Sequence, residues 1–308
     1  MPGAGAETGP VSKTGPVCGL LRRQRRGPAR AEQRPIFEVE TMQIIILGSG
    51  DAHGVPRIGC DCEVCRNVLS PGSRNYRTGA SLALRYGPSY AERLVLIDAA
   101  PELRLQATGL SLSRFDALLL THAHDAHILG LGVLVRSQRE LQHPFTLYAP
   151  EPVLEDVRRQ FGYLWTDKTY RRVIQFQPTE ETDLWDLHVQ ALRVDHGIGG
   201  VAYGYLLTLG QRRIAYIPDM LRPTDKLRQA LPDLDLLILG AAHYYEGIEV
   251  WKRSIMDIMA AQEFIGDLAP ARAFLTHLSH TVHYDEISPR LPEGIRLAYD
   301  GLILEVQE

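Results

Sequence analysis

Three histidines lie within six residues of one another in the segment LLLTHAHDAHILG, which spans residues 118–130. They are His122, His124 and His127, and they follow a run of leucines. Imidazole is a common metal ligand, and three such groups are costly to leave unpaired in one turn. The segment therefore predicts a metal-binding loop, although a cluster of surface histidines would have the same composition.

The carboxylate of this loop stands at an unusual position. Loops of binuclear metallohydrolases usually read T-H-x-H-x-D-H, whereas this chain has Ala126 before the last histidine and its carboxylate one residue earlier, at Asp125. Neighbouring side chains in a loop do not normally point the same way, so Asp125 is a candidate catalytic residue but not an automatic replacement. We expect weaker binding of one metal rather than loss of activity.

Four further residues that could bind a metal or move a proton follow apolar runs of strand character. They are His196 after LHVQALRVD, Asp219 after RRIAYIP, His243 after LDLLILGAA and His277 after RAFLT. In α/β proteins the carboxyl ends of strands meet at one edge, where ligands and catalytic groups collect. A single histidine at such a place is better explained as a hydrogen-bonded core residue, but four coincidences favour a functional site.

The segment GCDCEVC indicates a separate metal site. Its Cys60, Cys62 and Cys65 have the spacing C-x-C-x₂-C, at which three thiolates can occupy three corners of a tetrahedral zinc site. Three clustered cysteines and the distant Cys18 make a poor disulfide framework for 308 residues. The fourth ligand is expected to be a histidine or a cysteine, and we select His280, in THLSH.

Short strands must position these residues, and the sequence predicts such strands from Met42 onward. Apolar runs of β character predict strands at 42–48, 81–86, 93–98, 115–120, 145–149, 187–194, 201–208, 212–217, 234–239, 272–276 and 295–306. Helices are predicted near 128–141, 152–164 and 252–266. Two runs of strands, each followed by helices, predict a four-layer α/β sandwich.

Composition and charge limit the class of protein. No apolar run approaches the roughly eighteen residues of a membrane span, so no membrane partner is expected. Residues 1–41 carry seven Lys or Arg and four Glu, a net charge of +3, which leaves −7 for the rest of a chain whose total is −4. An acidic body argues against a long nucleic acid as the main partner.

Residues 1–41 differ from the rest of the chain. They are rich in Gly, Pro, Ala and Arg and show no period, which predicts a disordered tail or an over-extended start. Residues 42–308 are predicted to form one domain. The segment RRQRR at 22–26 is not followed by the apolar stretch of a signal sequence, so we expect a cytoplasmic protein.

Residues 42–308 resemble the phosphoribosyl cyclic phosphate phosphodiesterases of the metallo-β-lactamase superfamily. The resemblance rests on the segments GSGDAHGVPRIGCDCEVC, LVLIDA, LLLTHAHDAHILGL, VDHGIGGVAYGYLL, IAYIPD, AFLTHLSH and YDGLILEV. The cysteine loop combined with T-H-x-x-H separates this branch from the β-lactamases and the glyoxalases. The resemblance implies the four-layer αββα sandwich of that superfamily.

The resemblance also implies a role for each candidate residue. The first active-site metal would be held by His122, His124, His196 and a bridging Asp219, and the second by His127, His277 and Asp219. A structural zinc would be held by Cys60, Cys62, Cys65 and His280. His243 would be a proton donor, and Asp98 would orient a ligand histidine, although for Asp98 a simple strand-ending turn explains the sequence equally well.

The chemistry expected from these groups is hydrolysis of a small cyclic phosphodiester. Two divalent metals, zinc or manganese, would activate a hydroxide for attack on phosphorus. One alternative is a non-hydrolytic relative that resembles the pyrroloquinoline quinone biosynthesis protein, and another is a transfer-RNA processing nuclease, which the acidic body disfavours. The sequence does not decide the oligomeric state, and a homodimer is compatible with it.

Overall fold

Two seven-stranded sheets form the framework of the protein. The computed structural model describes residues 42–68, 70, 72–88 and 91–307. The first sheet has the strand order β14-β1-β2-β3-β4-β5-β6, and the second has the order β13-β12-β11-β10-β9-β8-β7. The tail predicted for residues 1–41 lies outside the described residues.

The strands within the described residues are short, and most of them are buried. They are β1 Met42–Gly48, β2 Ser81–Tyr86, β3 Arg93–Ile97, β4 Ala117–Leu119, β5 Phe145–Ala149, β6 Ile174–Pro178, β7 Glu181–Leu184, β8 Leu187–Asp195, β9 Val201–Leu209, β10 Arg212–Ile217, β11 Leu236–Gly240, β12 Ala273–Thr276, β13 Ile295–Leu297 and β14 Ile303–Val306.

Most of the helices pack on the outer faces of the two sheets, whereas the first packs within the cysteine loop. They are α1 Glu63–Asn67, α2 Leu103–Gly109, α3 Asp125–Ile128, α4 Leu131–Glu140, α5 Glu151–Gln160, α6 Tyr163–Thr166, α7 Asp225–Ala230, α8 Ile258–Leu268 and α9 Tyr284–Ile287. In the part of the chain that the structure describes, no helix has the length and apolar character needed to cross a membrane.

Three apolar clusters produce the four layers. Alternate residues of β1 face opposite sides, so that Ile44 packs between the two sheets and Ile45 packs under the helices of the first sheet. Leu134 of α4 belongs to the cluster on the first sheet, and Phe264 of α8 to the cluster on the second. The predicted αββα sandwich is therefore confirmed.

The strand predicted for 295–306 is wrong, because it consists of two strands in different sheets. β13 pairs with β12, and β14 pairs with β1. The chain crosses between the sheets at Asp300, whose carboxylate accepts hydrogen bonds from the backbone N–H groups of Ser49 and Thr78 at 2.8 Å. The partly buried Asp300 therefore holds the crossing between β13 and β14 in place.

Other predicted boundaries also shift for identifiable reasons. The helix predicted from 252 begins at Ile258, because the side chain of Asp257 caps it by accepting from the N–H of Ala260 at 2.9 Å. The helix predicted for 128–141 is divided into α3 and α4. β6 and β7 are edge strands with largely exposed side chains, so they lack the apolar run by which strands were predicted.

Candidate metal centre

Five strands deliver the candidate active-site residues to one edge of the two sheets. Asp98 follows β3, His122 follows β4, His196 follows β8, Asp219 follows β10 and His277 follows β12. Asp98 and His277 have φ angles of 62° and 58°. A positive φ is uncommon for residues other than glycine and clusters at functional sites. At both positions the chain turns sharply as the strand ends.

The turn at Asp98 is fixed by a close approach of the histidine loop. The N–H of Ala99 donates to the carbonyl of His127 at 2.7 Å, and the N–H of Gly130 donates to the carbonyl of Ala99 at 2.8 Å. A Cβ at Gly130 would lie 2.2 Å from the carbonyl oxygen of Ala100, so only glycine fits there. The end of β3 and the start of α3 are thereby held together.

Three imidazoles form the first group of candidate ligands. Nδ1 of His124 lies 3.0 Å from Nε2 of His122 and 3.4 Å from Nε2 of His196. Ligand nitrogens on a tetrahedral zinc, with Zn–N distances of 2.0–2.1 Å, stand about 3.3–3.4 Å apart. Both distances are close to that value, and the ligand atoms of all three rings lie within 4.8 Å of one another, which suits one shared cation.

Asp219 stands beside a second group of imidazoles. Nε2 of His127 lies 3.2 Å from Oδ2 of Asp219, and Nε2 of His277 lies 3.4 Å from Oδ1. His122, His127 and Asp219 also place ligand atoms within 4.8 Å of one another. The carboxylate therefore lies between the two histidine groups, which is the position of a bridging ligand.

Hydrogen bonds at Nδ1 determine which nitrogen remains free in the rings of His122 and His196. Nδ1 of His196 faces the carbonyl of Ser254 at 2.7 Å, and Nδ1 of His122 faces Oγ1 of Thr121 at 3.0 Å. If Nδ1 carries the ring proton in both His122 and His196, Nε2 of each ring keeps its lone pair for a metal.

Asp98 fixes the ring of His127 in the same way, through Nδ1. Its carboxylate is fully buried and lies 2.8 Å from Nδ1 of His127. It also accepts hydrogen bonds at 2.8 Å from the N–H and the hydroxyl of Thr121. The sequence left two explanations for Asp98, a strand-ending turn and the orientation of a ligand histidine. The contact with His127 matches the second.

The charges of the buried groups suit a bound cation. Burial lowers the pKa of His122 and of His196, which favours neutral imidazoles. Burial alone would raise the pKa of Asp219, but His277 and His127 outweigh it and hold that pKa well below its usual range. For His127, burial opposes protonation, but Asp98 and Asp219 raise its pKa to about 10. A cation at Nε2 would take the place of that proton.

One buried atom tests whether a metal fits this site. Oδ2 of Asp219 is shielded from solvent, and it accepts no hydrogen bond from any of the described residues. Nε2 of His127 lies 3.2 Å away but does not have hydrogen-bond geometry. An unpaired buried carboxylate oxygen is costly unless a cation satisfies it. Together with the neutral imidazoles of His122 and His196, this atom fits a divalent metal.

The structure does not bring Asp125 into either group. Asp125 is the exposed first residue of α3, and Ala126, which follows it, is buried. Successive residues of a helix point about 100° apart, so the two side chains face different surroundings. The catalytic role predicted for Asp125 has no support in this geometry.

His243 lies next to the loop that carries His277 and His280. The N–H of Ser279 donates to the carbonyl of Ala242 at 2.8 Å, which places the chain after β11 alongside that loop. The ring of His243 is half-buried, and its Nδ1 lies 2.8 Å from Oγ1 of Thr281. The structure thus anchors this histidine by one nitrogen at the same edge of the sheets.

The cysteine loop lies against the loop that carries His280. Nδ1 of His280 lies 3.3 Å from Sγ of Cys60, 3.5 Å from Sγ of Cys62 and 3.8 Å from Sγ of Cys65. Sulfur and nitrogen ligands on one zinc, at Zn–S near 2.3 Å, stand about 3.6 Å apart. Burial raises the pKa of the Cys65 thiol to about 11, so a metal there would have to displace a proton.

A cavity of about 400 Å³ opens at the first histidine group. It is lined by His122, Ala123, His124, Asp156, Arg159, Gln160, Gly199, Gly200 and Val201. Sequence reasoning missed the α5 residues of this wall. The histidine motif gave no indication of these residues, because α5 is separated from the histidine loop in the chain and contacts it only in the folded protein.

Comparison with known proteins agrees with this geometry. A family model described as a beta-lactamase superfamily domain matches residues 93–278. The chain belongs to the metallo-β-lactamase superfamily. The superfamily fold implies divalent metals.

The chain is also similar to two curated proteins and one solved structure. The chain is 31% identical over 278 residues to an octanoyltransferase of Porphyromonas gingivalis, covering 87% of this chain and 52% of that protein. It spans only about half the length of that relative. It is 34% identical over 222 residues to coenzyme PQQ synthesis protein B of Methylobacterium nodulans, covering 64% of this chain and 72% of that protein.

The solved structure is a diphosphatase from the PhnP family. It superimposes with a TM-score of 0.76 at 29% identity and covers 87% of this chain and 98% of the other. This neighbour supports the resemblance of the chain to the PhnP family.

Proposed function

We propose that the protein is a metal-dependent phosphodiesterase that hydrolyses a small cyclic phosphodiester. The observation that supports this proposal is the position of Asp219, whose carboxylate lies between two groups of imidazoles and keeps one oxygen unpaired. Two metals that share one carboxylate are suited to clamp a phosphodiester. The likeness to a diphosphatase of the PhnP family gives further support.

The proposed ligand sets follow the two groups. One metal is assigned to His122, His124, His196 and Asp219, the second to His127, His277 and Asp219, and a structural zinc to Cys60, Cys62, Cys65 and His280. When bound, the active-site ions supply an activated hydroxide and positive charge next to phosphorus. Zinc and manganese both suit imidazole and carboxylate ligands. The substrate is a small molecule, and the proposed compartment is the cytoplasm.

The residues of the chain itself then have distinct tasks. Asp98 holds Nδ1–H of His127, so that Nε2 points toward Asp219. His243 is the proposed proton donor to the departing alkoxide, with its ring held through Thr281. A strained cyclic diester needs less help with its leaving group than a linear one, so this donor matters most for poor leaving groups.

A role in cofactor synthesis, resembling that of coenzyme PQQ synthesis protein B, is the second candidate. The 34% identity to that relative favours it, and so does Ala126 at the place of the usual carboxylate. The complete set of strand-end histidines and Asp219 favours the hydrolase.

The two candidates are separated by metal content combined with turnover. Purified protein, loaded separately with zinc and with manganese, is assayed on bis(p-nitrophenyl) phosphate, a β-lactam and a thioester. We expect about two exchangeable metals per chain, cleavage of the phosphodiester, and no cleavage of the other two. A metal-loaded protein that cleaves no phosphodiester would reject the hydrolase in favour of the second candidate.

A further inference from the structure

Arg77 is one of the largest fully buried side chains among the described residues, and it is not one of the candidate metal ligands. Burial lowers the pKa of its guanidinium to about 10, against the opposing effect of Asp300 and Asp51, so the group stays charged at neutral pH. A buried charge is costly unless hydrogen bonds satisfy it. The hydrogen-bond partners of Arg77 therefore indicate its role.

The guanidinium of Arg77 holds the chain on both sides of His280. Its Nη1 donates to the carbonyl of Ser279 at 2.9 Å, and its Nη2 donates to the carbonyl of Val282 at 2.8 Å. Ser279 directly precedes His280, and Val282 follows it by two residues. Because the donors of a guanidinium form a rigid fork, the two carbonyls are held in one fixed arrangement.

The backbone of Arg77 holds the chain that leads to the cysteine loop. The N–H of Val55 donates to the carbonyl of Arg77 at 2.8 Å, and the N–H of Arg77 donates to the carbonyl of Val55 at 3.0 Å. Val55 is five residues before Cys60 and packs in the same small apolar cluster as Cys65. One residue thus binds the cysteine loop through its backbone and the His280 segment through its side chain.

The segment Ser279–Val282 also carries the partner of His243. Oγ1 of Thr281 lies 2.8 Å from Nδ1 of His243, and the N–H of Ser279 donates to the carbonyl of Ala242 at 2.8 Å. Between its two carbonyls bound by Arg77, the segment therefore presents an imidazole to the cysteine loop and a hydroxyl to His243.

We propose that Arg77 is the positioning residue for both groups. By clamping Ser279–Val282, its guanidinium keeps His280 against the cysteine sulfurs and keeps Thr281 against the ring of His243. This inference rests on the proposed function for the zinc ligands and for the role of His243. Arg77 touches neither substrate nor metal, so it acts only through the segment that it clamps.

Zinc release from the full chain, loaded with manganese at the active site, tests the first group. Arg77→Lys keeps the charge but loses the forked donors, and Arg77→Met loses both. With a chromogenic chelator, we expect zinc to leave about tenfold faster in Arg77→Lys and faster still in Arg77→Met, since losing a partner of a metal ligand typically weakens the metal by about 10–100-fold. Leu84→Ala, a truncation in the apolar layer between the sheets, controls for general destabilisation and should leave the rate unchanged.

A double-variant cycle tests whether Arg77 acts through His280. The effects of two residues that act as a unit are not additive. Arg77→Lys should therefore give no further acceleration of zinc release when His280→Ala is already present. An acceleration that persists in His280→Ala, or an equal acceleration in Leu84→Ala, would overturn the proposal for the zinc ligand.

The dependence on the leaving group tests the second group. Arg77→Lys should lower kcat about tenfold for alkoxide leaving groups, within the usual contribution of a general acid, and much less for nitrophenolate, because the ring of His243 is no longer held. In a His243→Ala background, Arg77→Lys should not change this ratio further. Equal losses on the two kinds of leaving group would overturn the proposal for His243.

The two tests separate the clamp from the reaction. If the parent cleaves no phosphodiester while zinc release follows the expected pattern, the reaction is wrong and the clamp on His280 stands. If Arg77→Lys releases zinc at the rate of the parent, the clamp is wrong whatever the activity.

Asn75→Ala tests the same clamp if the Arg77 variants do not fold. Oδ1 of Asn75 accepts from Nη2 of Arg77 at 3.4 Å and from the N–H of Tyr284 at 2.8 Å. Its removal should accelerate zinc release by a smaller factor than Arg77→Lys is expected to do, but more than Leu84→Ala does. A rate equal to that of Leu84→Ala would overturn the proposal.

Discussion

The buried methyl group of Ala126 stands where the usual loop of binuclear sites carries a carboxylate, and the exposed side chain of Asp125 lies outside both groups of candidate ligands. The double variant Asp125→Ala, Ala126→Asp restores the usual order without changing the net charge. We expect its second metal to resist mild chelation better than that of the parent, with phosphodiesterase activity maintained or raised, because a carboxylate is added to His127, His277 and Asp219.

Asp125→Ala alone is the control for this prediction. Since the side chain of Asp125 is exposed and lies outside both ligand groups, its removal should change neither metal content nor rate. Loss of the second metal in this single variant would show that Asp125 is a ligand.

Asp98 is expected to act through His127. Asp98→Asn keeps the shape of the side chain but weakens the acceptor that orients the imidazole. Changes of such partners typically reduce metal affinity or activity by about 10–100-fold, and we expect that range for the second metal. Metal retained after dialysis against a graded chelator is the measurement.

Asp300→Asn is the matched control for the Asp98 variant. Asp300 is a partly buried carboxylate that binds the backbone of Ser49 and Thr78 rather than a histidine. Its change should lower the melting temperature without altering metal affinity. If both variants lose the metal equally, general destabilisation explains the effect and Asp98 has no special part.

His243 is tested by the dependence on the leaving group. His243→Ala should slow substrates with alkoxide leaving groups by about 10²–10⁴-fold, the usual contribution of a general acid, and nitrophenyl esters much less. Tyr245→Ala, two residues later and exposed, controls for disturbance of the segment. Equal losses on the two kinds of leaving group would remove His243 from the role of acid.

At the scale of elements, the cysteine loop and the loop after β12 are joined at His280. Because a structural zinc stabilises only the folded state, Cys62→Ser should remove about one zinc per chain and lower the melting temperature by about 5 °C or more. Elemental analysis and a thermal scan measure the two effects. Cys18→Ser, at the fourth cysteine of the chain, should leave both unchanged.

The same variant tests whether the two metal sites are linked. His277 and His280 are three residues apart on one loop, and His277 is held at a φ of 58°. Loosening the loop should therefore also weaken the second active-site metal. Retention of full zinc content and stability in Cys62→Ser would show that the cysteines are not ligands.

For the whole molecule, metal binding and folding should be coupled. Asp219 is a buried carboxylate between imidazoles, so the folded state alone offers this site to a cation. A ligand at 100 times its Kd adds about 2.7 kcal/mol of stability. The melting temperature should thus rise with the logarithm of free manganese, which thiolates bind poorly. Asp219→Asn should flatten that dependence. A melting temperature of the parent that does not change with free manganese would contradict the coupling of metal binding to folding.

The fold was largely predictable because its strands are apolar runs with period-two packing. β1 and β10 were placed to the residue, and the four-layer class followed from the order of strands and helices. The misplaced elements have different causes. The chain crosses from β13 to β14 at Asp300, which is held by Ser49 and Thr78, far away in the chain. The edge strand β7 pairs with β8 across a tight turn, but its exposed side chains carry no apolar pattern.

The sequence by itself determined which residues stand at the ends of strands, since a motif and an apolar run are local features. Only the tertiary structure decided which of them meet. It placed Asp98 against His127, the carbonyl of Ser254 against His196, and Arg159 beside the histidine loop, while it left Asp125 outside. Strand order and helix phase decide these contacts, and both depend on packing across the two sheets rather than on spacing along the chain.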